Sequence, residues 1–129
     1  MTTISEVSKS FEISADTLRY YERVGMIPPV NRTPSGLRDY TEDDCKWVEL
    51  AKCMRSAGLP IEVMIEYVKL TQRGDETISA RGELLREQRE KLLAQKAAIE
   101  STLDRLNFKI DRYEKAEKTG VLSWDRDEI

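Results

Sequence analysis

The chain has 129 residues, of which 35% are charged and 40% are hydrophobic, and its formal net charge is −3. This balance excludes a disordered chain, and with no run of about 18 apolar residues and no apolar signal core the sequence predicts a cytoplasmic protein that does not enter a membrane. Two cysteines are too few for a disulfide scaffold, and an acidic chain is a poor non-specific binder of polyanions, although a locally basic face fits within these totals.

Two short helices are predicted at the N-terminus. Thr3 and Glu6 have the spacing of a capping box at the start of the first helix, and Ser14 is an N-cap candidate for the second. Gly25, followed by the Pro28-Pro29 pair, ends the second helix. So brief a connection between two short helices is typical of a helix-turn-helix, although many ordinary helical hairpins share this length pattern.

The next segment is predicted to be a wing, followed by two more helices. Residues 30–40, VNRTPSGLRDY, contain a Pro-Ser-Gly turn between short polar arms, which indicates a small hairpin or looped wing. Thr41 and Asp44 are predicted to cap a third helix that ends at Gly58. Pro60 suits the first turn of a fourth helix.

A single long helix is predicted to follow. Residues 77–118 contain no proline and one glycine, so an unbroken helix there would span about 60 Å. Its apolar side chains recur at alternating three- and four-residue steps, interrupted by Arg89 and Lys96, which is the heptad pattern of a coiled coil. The predicted seam residues are Leu85, Leu92, Ile99, Leu103, Leu106, Ile110 and Tyr113.

One helix cannot bury a heptad seam by itself, so a partner helix is required, and a second copy of the chain is the simplest partner. The alternative is that the helix packs on its own N-terminal domain. The sequence is therefore divided into an N-terminal domain at residues 1–74, a dimerisation helix at 75–118 and a short tail at 119–129.

The second short helix presents two different faces. At 100° per residue, Leu18 and Tyr21 fall on one side and can pack on the preceding helix. Arg19, Tyr20 and Arg23 fall on the other side, where guanidinium groups flank a phenol. Such a surface suits phosphates and base edges, although a solvated face with local side-chain pairing explains it equally well.

The run TLRYYERVGMIPPVNRTPSGLRDYTEDD resembles the N-terminal signature of the MerR family of winged-helix bacterial transcription regulators. The order of elements along the rest of the chain is also similar. The resemblance implies a mostly α fold, with an N-terminal winged helix-turn-helix domain followed by a long coiled-coil dimerisation helix. The stretch KCMRSAGLPIEVMIEYVKL is similar in particular to the thiol-bearing subgroup that responds to aldehyde and nitrosative stress, the AdhR and NmlR type.

The resemblance also implies which residues bind DNA. Arg19 and Tyr20 match the recognition-helix contacts, and Tyr21 matches a position that supports this helix and can reach phosphate. Arg38 and Tyr40 match wing residues that grip the flanking backbone. With two further residues of the recognition helix, the predicted DNA-binding set is Thr17, Arg19, Tyr20, Tyr21, Arg23, Arg38 and Tyr40.

The family mechanism that the resemblance implies is a change in promoter shape. A dimer binds a pseudo-palindrome between promoter elements whose spacer is too long for RNA polymerase. On activation the dimer bends and untwists the DNA so that the elements align, and contacts to the backbone offset the deformation energy. The implied partners are double-stranded promoter DNA, RNA polymerase and a second copy of the chain.

The sequence argues against a metal sensor and against an enzyme. Cys45 and Cys53 lie eight residues apart on one predicted helix, about 12 Å along its axis, which is too far to share an ion or to form a disulfide with each other. The chain has no histidine to act as a metal ligand or general base, and it has no glycine-rich phosphate loop. We expect no metal, no cofactor and no catalytic residues.

Thiol chemistry at Cys53 is the predicted input signal. Cys53 matches the reactive cysteine of the subgroup, and its neighbours Lys52 and Arg55 favour thiolate, whereas the negative end of the helix dipole opposes it. Cys45 lies among carboxylates that disfavour thiolate, and we expect it to be incidental. Two alternatives remain open: a small-molecule-responsive regulator of the same type with structural cysteines, and a coiled-coil interaction protein that does not bind DNA.

Overall fold

The computed structural model describes residues 1–124, which are mostly helical. The elements in chain order are α1 (Ile4–Phe11), α2 (Ala15–Val24), β1 (Asn31–Arg32), β2 (Arg38–Asp39), α3 (Glu42–Ser56), α4 (Ile61–Gln72) and α5 (Ile78–Thr119), with a 3-10 turn at Asp75–Thr77. This order of a helix-turn-helix, a wing, two further helices and one long helix confirms the predicted fold class. Within these residues no helix has both the length and the apolar character needed to cross a membrane.

Side-chain caps set the starts of α1 and α2. The Thr3 hydroxyl accepts a hydrogen bond from the backbone N–H of Glu6 at 3.2 Å, and the Ser14 hydroxyl accepts one from the backbone N–H of Thr17 at 3.1 Å. These bonds satisfy amide groups that the first turn of a helix leaves without partners. Glu12 ends α1 in the left-handed conformation at φ 55°, so the chain turns between the two helices within residues 12–14.

The wing is a short antiparallel hairpin between α2 and α3. In its register Asn31 pairs with Asp39, and Arg32 pairs with Arg38. Gly36 makes the turn at φ 91°, a left-handed conformation that glycine adopts without steric cost. The hairpin predicted from the Pro-Ser-Gly turn is therefore present.

The hydrophobic core of the N-terminal half is built from α1 to α4 and from the segment that joins α2 to the wing. The largest fully buried side chains are Leu18, Met26, Ile27, Met64, Val7 and Val48. At the start of α3 the predicted capping box is complete, because the Thr41 hydroxyl accepts from the Asp44 N–H at 3.1 Å and the Asp44 carboxylate accepts from the Thr41 N–H at 2.9 Å. Burial of Leu18 therefore anchors α2 in the core, and the capping box defines the start of α3.

The predicted long helix is present as α5, and it contains the residues of the predicted heptad seam. The chain divides into two compact units inside this helix, with Met1–Gln88 in the first and Arg89 at the start of the second. The domain boundary placed at residue 74 from the sequence stays a prediction. In the single chain Leu92 is half-buried, and the exposed seam residues are Leu85, Ile99, Leu103, Leu106, Ile110 and Tyr113.

The first part of the tail folds back on the end of α5. The Thr119 hydroxyl accepts from the N–H of Val121 at 3.3 Å. The Trp124 ring centroid then lies 5.8 Å from that of Tyr113, and Lys109 Nζ lies 5.1 Å from the Trp124 centroid. Residues 125–129, the remainder of the predicted tail, lie outside the described residues.

Candidate nucleic-acid interface

The two faces of α2 are those that its helical spacing predicts. Leu18 is fully buried and Tyr21 is nearly so, and both belong to the core. On the other side Arg19 and Arg23 are exposed and Tyr20 is half-buried. The helix therefore directs two cations and a phenol outward while its apolar residues hold it in place.

Local contacts organise the exposed side chains of α2. Arg19 Nη1 lies 2.8 Å from Asp16 Oδ1, and the guanidinium carbon of Arg23 lies 5.4 Å from the Tyr20 ring centroid. The hydroxyl of Thr17 accepts from that of the α2 N-cap at 2.8 Å. Because an exposed ion pair contributes little to stability, Arg19 can exchange Asp16 for a base or a phosphate at small cost.

The wing is attached to α2 through Glu22. Glu22 Oε1 accepts from Arg38 Nε at 2.7 Å, and Glu22 Oε2 accepts from the backbone N–H of Val30 at 3.1 Å. The Arg38 and Glu22 side chains are only 18% and 14% exposed. Arg38 is therefore already paired within the protein, and its contact with the DNA backbone stays a prediction.

Tyr40 occupies the core rather than the surface. It is 3% exposed, its backbone N–H donates to the Thr2 carbonyl at 2.9 Å, and its hydroxyl has no hydrogen-bond partner among residues 1–124. Burial raises the pKa of this hydroxyl, an effect that Arg38 opposes and Glu22 reinforces. A phosphate contact by Tyr40 requires the hydroxyl to become exposed, so this contact too stays a prediction.

Replacing Tyr40 with Phe should raise the free energy of unfolding at pH 7 by about 1 kcal/mol, because the change removes a buried hydroxyl that has no partner. Because the folded protein resists ionisation of this phenol more than the unfolded chain does, its stability is constant below the unfolded pKa and falls as the pH rises from the unfolded to the folded value. The alkaline loss of stability above about pH 10 should therefore be smaller in the variant. The variant should still lose some stability at alkaline pH, because burial also raises the pKa of Tyr21.

Urea unfolding of both proteins at pH 7 and at about pH 10.5 measures these differences. A Tyr40→Phe protein that is clearly less stable than the wild type at pH 7 would contradict the assignment, since it would mean that the hydroxyl makes a favourable bond in the folded state.

Two residues of this surface were missed by the sequence prediction: Glu22, described above, and Arg32. Arg32 is exposed on β1 directly opposite Arg38, so the two guanidinium groups share one face of the hairpin. Arg32 Nη1 donates to the Gly36 carbonyl at 3.2 Å. Leu37, which follows Gly36 in sequence, is 61% exposed. The Pro-Ser-Gly turn contained the signal for Arg32, because a tight hairpin centred on it pairs residues 32 and 38.

Cys53, the predicted sensing residue, is exposed near the end of α3. The two cations that flank it in sequence are engaged elsewhere. Lys52 Nζ donates to the Phe11 carbonyl at the end of α1, and Arg55 Nη1 donates to a backbone carbonyl four residues further along the chain at 2.7 Å. Neither cation is therefore hydrogen-bonded to the thiol, and the accessibility of the sulfur is the feature that remains.

Cys45 is less accessible than Cys53. It is half-buried near the start of α3, and burial raises the pKa of its thiol, with Asp44 and Glu42 adding to the shift. The predicted effect of the carboxylates is confirmed, although burial is the larger cause. Among residues 1–124 no three His, Cys, Asp or Glu side chains come together as a possible metal site.

A cleft of about 330 Å³ lies between α3 and α4. Its walls include Trp47 and Tyr67, whose ring centroids are 5.6 Å apart and whose planes are inclined by 54°. Leu50 also lines it and, like Trp47, is only half-buried. Asp43 and Lys46 add one charge of each sign at its edge.

Comparison with known proteins places these features in a family. The family model described as MerR HTH family regulatory protein matches residues 2–70, more than half of the chain. The chain belongs to the MerR family. The matched region contains α1, α2, the wing and α3, and nearly all of α4, so the helix-turn-helix and the wing described above both lie within the part of the chain that the family model matches.

Individual relatives support the same placement. The transcriptional regulator AdhR of Bacillus subtilis is 56% identical over 90 residues, which is 70% of this chain but only 64% of AdhR. The crystal structure of a MerR family transcriptional regulator from Listeria monocytogenes matches with a TM-score of 0.90 at 42% identity, over 93% of this chain and 91% of that one.

A third comparison includes DNA. The crystal structure of HiNmlR, a MerR family regulator that lacks the sensor domain, is bound to promoter DNA. It matches this MerR-family chain with a TM-score of 0.83 at 31% identity, over 94% of this chain and 96% of that one. The predicted similarity to the AdhR and NmlR type is thus confirmed.

Proposed function

We propose that this MerR-type regulator binds promoter DNA through α2 and the wing. The observation that carries the proposal is the set of guanidinium groups on these two elements: Arg19 and Arg23 on α2, and Arg32 and Arg38 on the wing. Guanidinium groups bind phosphates and the edges of bases in the major groove. Since the whole chain carries a net charge of −3, affinity for DNA depends on this local surface rather than on general attraction.

The predicted contacts of other α2 and wing residues belong to the same proposal. Thr17 and Tyr20 lie on the outward half of α2, where they can reach the backbone. Tyr21 and Tyr40 are buried, so their first role is to hold α2 and the wing in place. A direct phosphate contact from either tyrosine would need a local rearrangement on binding.

The proposed regulator acts as a homodimer. The seam of α5 leaves isoleucine and leucine side chains exposed at positions 99, 103, 106 and 110, and a second α5 would bury them. A two-fold dimer presents two DNA-binding heads, which fits a pseudo-palindromic site. We infer that such a dimer works at promoters in the cytoplasm and changes DNA shape for RNA polymerase, the mechanism implied by the family resemblance.

Titration of the chain against its own upstream promoter region tests the proposal. Specific binding should withstand an excess of unrelated DNA and should weaken steeply as salt rises, because each arginine–phosphate contact releases counterions. Equal affinity for promoter and unrelated DNA, or no binding at low salt, would favour the alternative of a coiled-coil interaction protein. Footprinting would then locate the bound sequence and its symmetry.

We further propose that a reactive electrophile, an aldehyde or a nitrosating agent, is sensed at Cys53. The thiol is exposed, so such a molecule can reach it. An aldehyde adds across the S–H group, with sulfur bonding to the carbonyl carbon and the proton passing to the oxygen, so no other reactant is needed. The adduct regulates transcription only if it favours one state of the bound dimer over the other.

Replacing Cys53 with Ala should leave promoter affinity within about twofold of the wild type, because the side chain is exposed and lies outside α2 and the wing. The same change should abolish the response to the electrophile. Cys45→Ala is the matched control on the same helix, and it should retain the response because its half-buried thiol is held in the neutral form. Promoter output with and without aldehyde measures both variants, and a full response from Cys53→Ala would remove the thiol from the mechanism.

A second candidate input is a small molecule bound in the cleft between α3 and α4. The Trp47 and Tyr67 rings offer apolar surface, and the cleft volume of about 330 Å³ is at the lower end of the range for ligand sites. In this case both cysteines are structural. A regulator that responds in the Cys53→Ala background but not after Trp47→Ala would favour the cleft.

A further inference from the structure

One carboxylate joins the recognition helix to β2 and to the residue that precedes β1. Glu22 lies on α2, one turn after Arg19, and its two oxygens accept from two different places. Oε2 takes the backbone N–H of Val30, the residue before β1, at 3.1 Å, and Oε1 takes Nε of Arg38 in β2 at 2.7 Å. Hydrogen bonds to an ionised carboxylate are stronger than those between neutral groups, so this double contact restricts how the hairpin sits on the helix.

The geometry of the ion pair leaves part of Arg38 unused. Glu22 occupies Nε, and among residues 1–124 the terminal nitrogens Nη1 and Nη2 of Arg38 have no hydrogen-bond partner. Although the two side chains are at most 18% exposed, the terminal nitrogens of Arg38 are not buried and reach solvent. They are therefore open to a ligand with acceptor atoms.

The hairpin register indicates that this ligand is an anion. Arg32 lies directly opposite Arg38, and like charges in opposite positions of an antiparallel pair are destabilising. Glu22 neutralises one of the two guanidinium groups in the free protein, whereas Arg32 reaches only the uncharged Gly36 carbonyl. A DNA phosphate placed at this face would bond both arginines and remove the repulsion.

We propose that Glu22 is a positioning residue for DNA binding: its carboxylate fixes the wing against the recognition helix and holds Arg38 by Nε, so that the terminal nitrogens of Arg38 bind a phosphate beside Arg32. The inference rests on the proposed DNA-binding function. It adds a role for an acidic residue that would otherwise only repel DNA.

The test compares Glu22→Gln, Arg38→Ala and the double variant for affinity to the promoter fragment over a range of salt concentrations. Glu22→Gln keeps an oxygen to accept one of the two bonds but loses the charge that holds Arg38. It should bind about tenfold more weakly, the size of one charge-assisted hydrogen bond, and the salt slope should fall by about one unit, as in Arg38→Ala. In the Arg38→Ala background the additional effect of Glu22→Gln should be small, because the two residues act as a unit.

Glu49→Gln is the matched control for charge. Glu49 is exposed on α3 and lies outside α2 and the wing, so this change reports the general effect of removing one negative charge. Arg38→Lys is the second variant: it keeps the charge but lacks the fork that lets one side chain bond Glu22 and a phosphate together, and it should bind almost as weakly as Arg38→Ala. Thermal unfolding of each variant shows whether the heads are folded in the assay.

Three results would overturn the proposal. Tighter binding of Glu22→Gln than of Glu49→Gln would mean that Glu22 competes with phosphate for Arg38. An equal loss from Glu22→Gln in the wild-type and Arg38→Ala backgrounds would mean that the carboxylate only stabilises the fold. If Glu22→Gln does not fold, Arg38→Lys decides the question: promoter affinity equal to that of the wild type in this variant would contradict the proposal. A wild-type chain that does not bind the promoter fragment contradicts the proposed function itself, which separates the two failures.

Discussion

Replacing Leu103 and Leu106 together with Asn should convert the proposed dimer into a monomer. Each leucine is 50% exposed in the single chain, and both occupy successive layers at the centre of the predicted seam. Truncation of a buried leucine costs about 2–5 kcal/mol, and an amide without a partner adds to this cost. Because two layers change in each subunit, association should weaken by more than about a hundredfold.

Sedimentation at micromolar concentration measures this change, and Leu93→Asn is its matched control. Leu93 is also 50% exposed on α5, but it lies outside the seam, so its replacement should leave the dimer intact. The double variant should also lose promoter affinity, since one head alone binds half of a two-fold site. A wild-type protein that sediments as a monomer would contradict the coiled-coil interpretation without any need for the variants.

The helices and their caps could be predicted because each depends on neighbours in sequence. Ser14 caps α2 through an amide three residues away, and the Thr41 and Asp44 box operates over the same distance. The heptad period and the scarcity of helix breakers in α5 are likewise local. Such features follow from chain geometry and do not require knowledge of the tertiary fold.

Contacts between distant residues could not be obtained in the same way. Glu22 and Arg38 are 16 positions apart, and the sequence assigned Arg38 to DNA without recognising its partner. A signal was nevertheless present, because the helical spacing places Glu22 on the same side of α2 as Leu18 and Tyr21. A carboxylate on a buried face needs a partner, and Arg38 of the wing supplies it.

Local patterns also did not predict the burial of Tyr40 or the exposure of Cys53. The family position of Tyr40 predicts a contact with the DNA backbone, and hence a surface side chain, yet Tyr40 is one of the core residues. The sequence predicts a sensing thiol at Cys53 and leaves a structural cysteine as the alternative, and its local pattern does not indicate whether the side chain is exposed, as it is. In both cases the outcome depends on which elements pack against the residue, information that a single sequence does not contain.

The Arg19–Asp16 pair and the Glu22–Arg38 pair differ in a way that matters for DNA binding. The first is exposed, with Arg19 at 47% and Asp16 at 95%, whereas the second is largely withdrawn from water. An exposed ion pair is weak, so Arg19 can leave Asp16 and form a bond with DNA on binding. We therefore expect Arg19 to read bases and Arg38 to position the protein on the backbone.

Replacing Arg19 with Ala should weaken promoter binding by about 1–3 kcal/mol, the range for a good arginine contact to a base edge. The loss should be much larger for the promoter site than for unrelated DNA, because a base contact exists only at the correct sequence. The fold should be unaffected, since the Asp16 pair that disappears is exposed. Equilibrium titration of both DNA fragments at one fixed salt concentration measures the ratio directly.

Asp16→Ala is the control that separates base contact from local ion pairing. It removes the same pair but keeps the guanidinium group, and it also removes a negative charge from the outward face of α2. Its affinity for the promoter should therefore equal or exceed that of the wild type. If Asp16→Ala instead weakens binding as much as Arg19→Ala, the ion pair itself is what matters. If neither variant changes promoter affinity, the outward face of α2 does not read DNA and the proposed recognition surface is wrong.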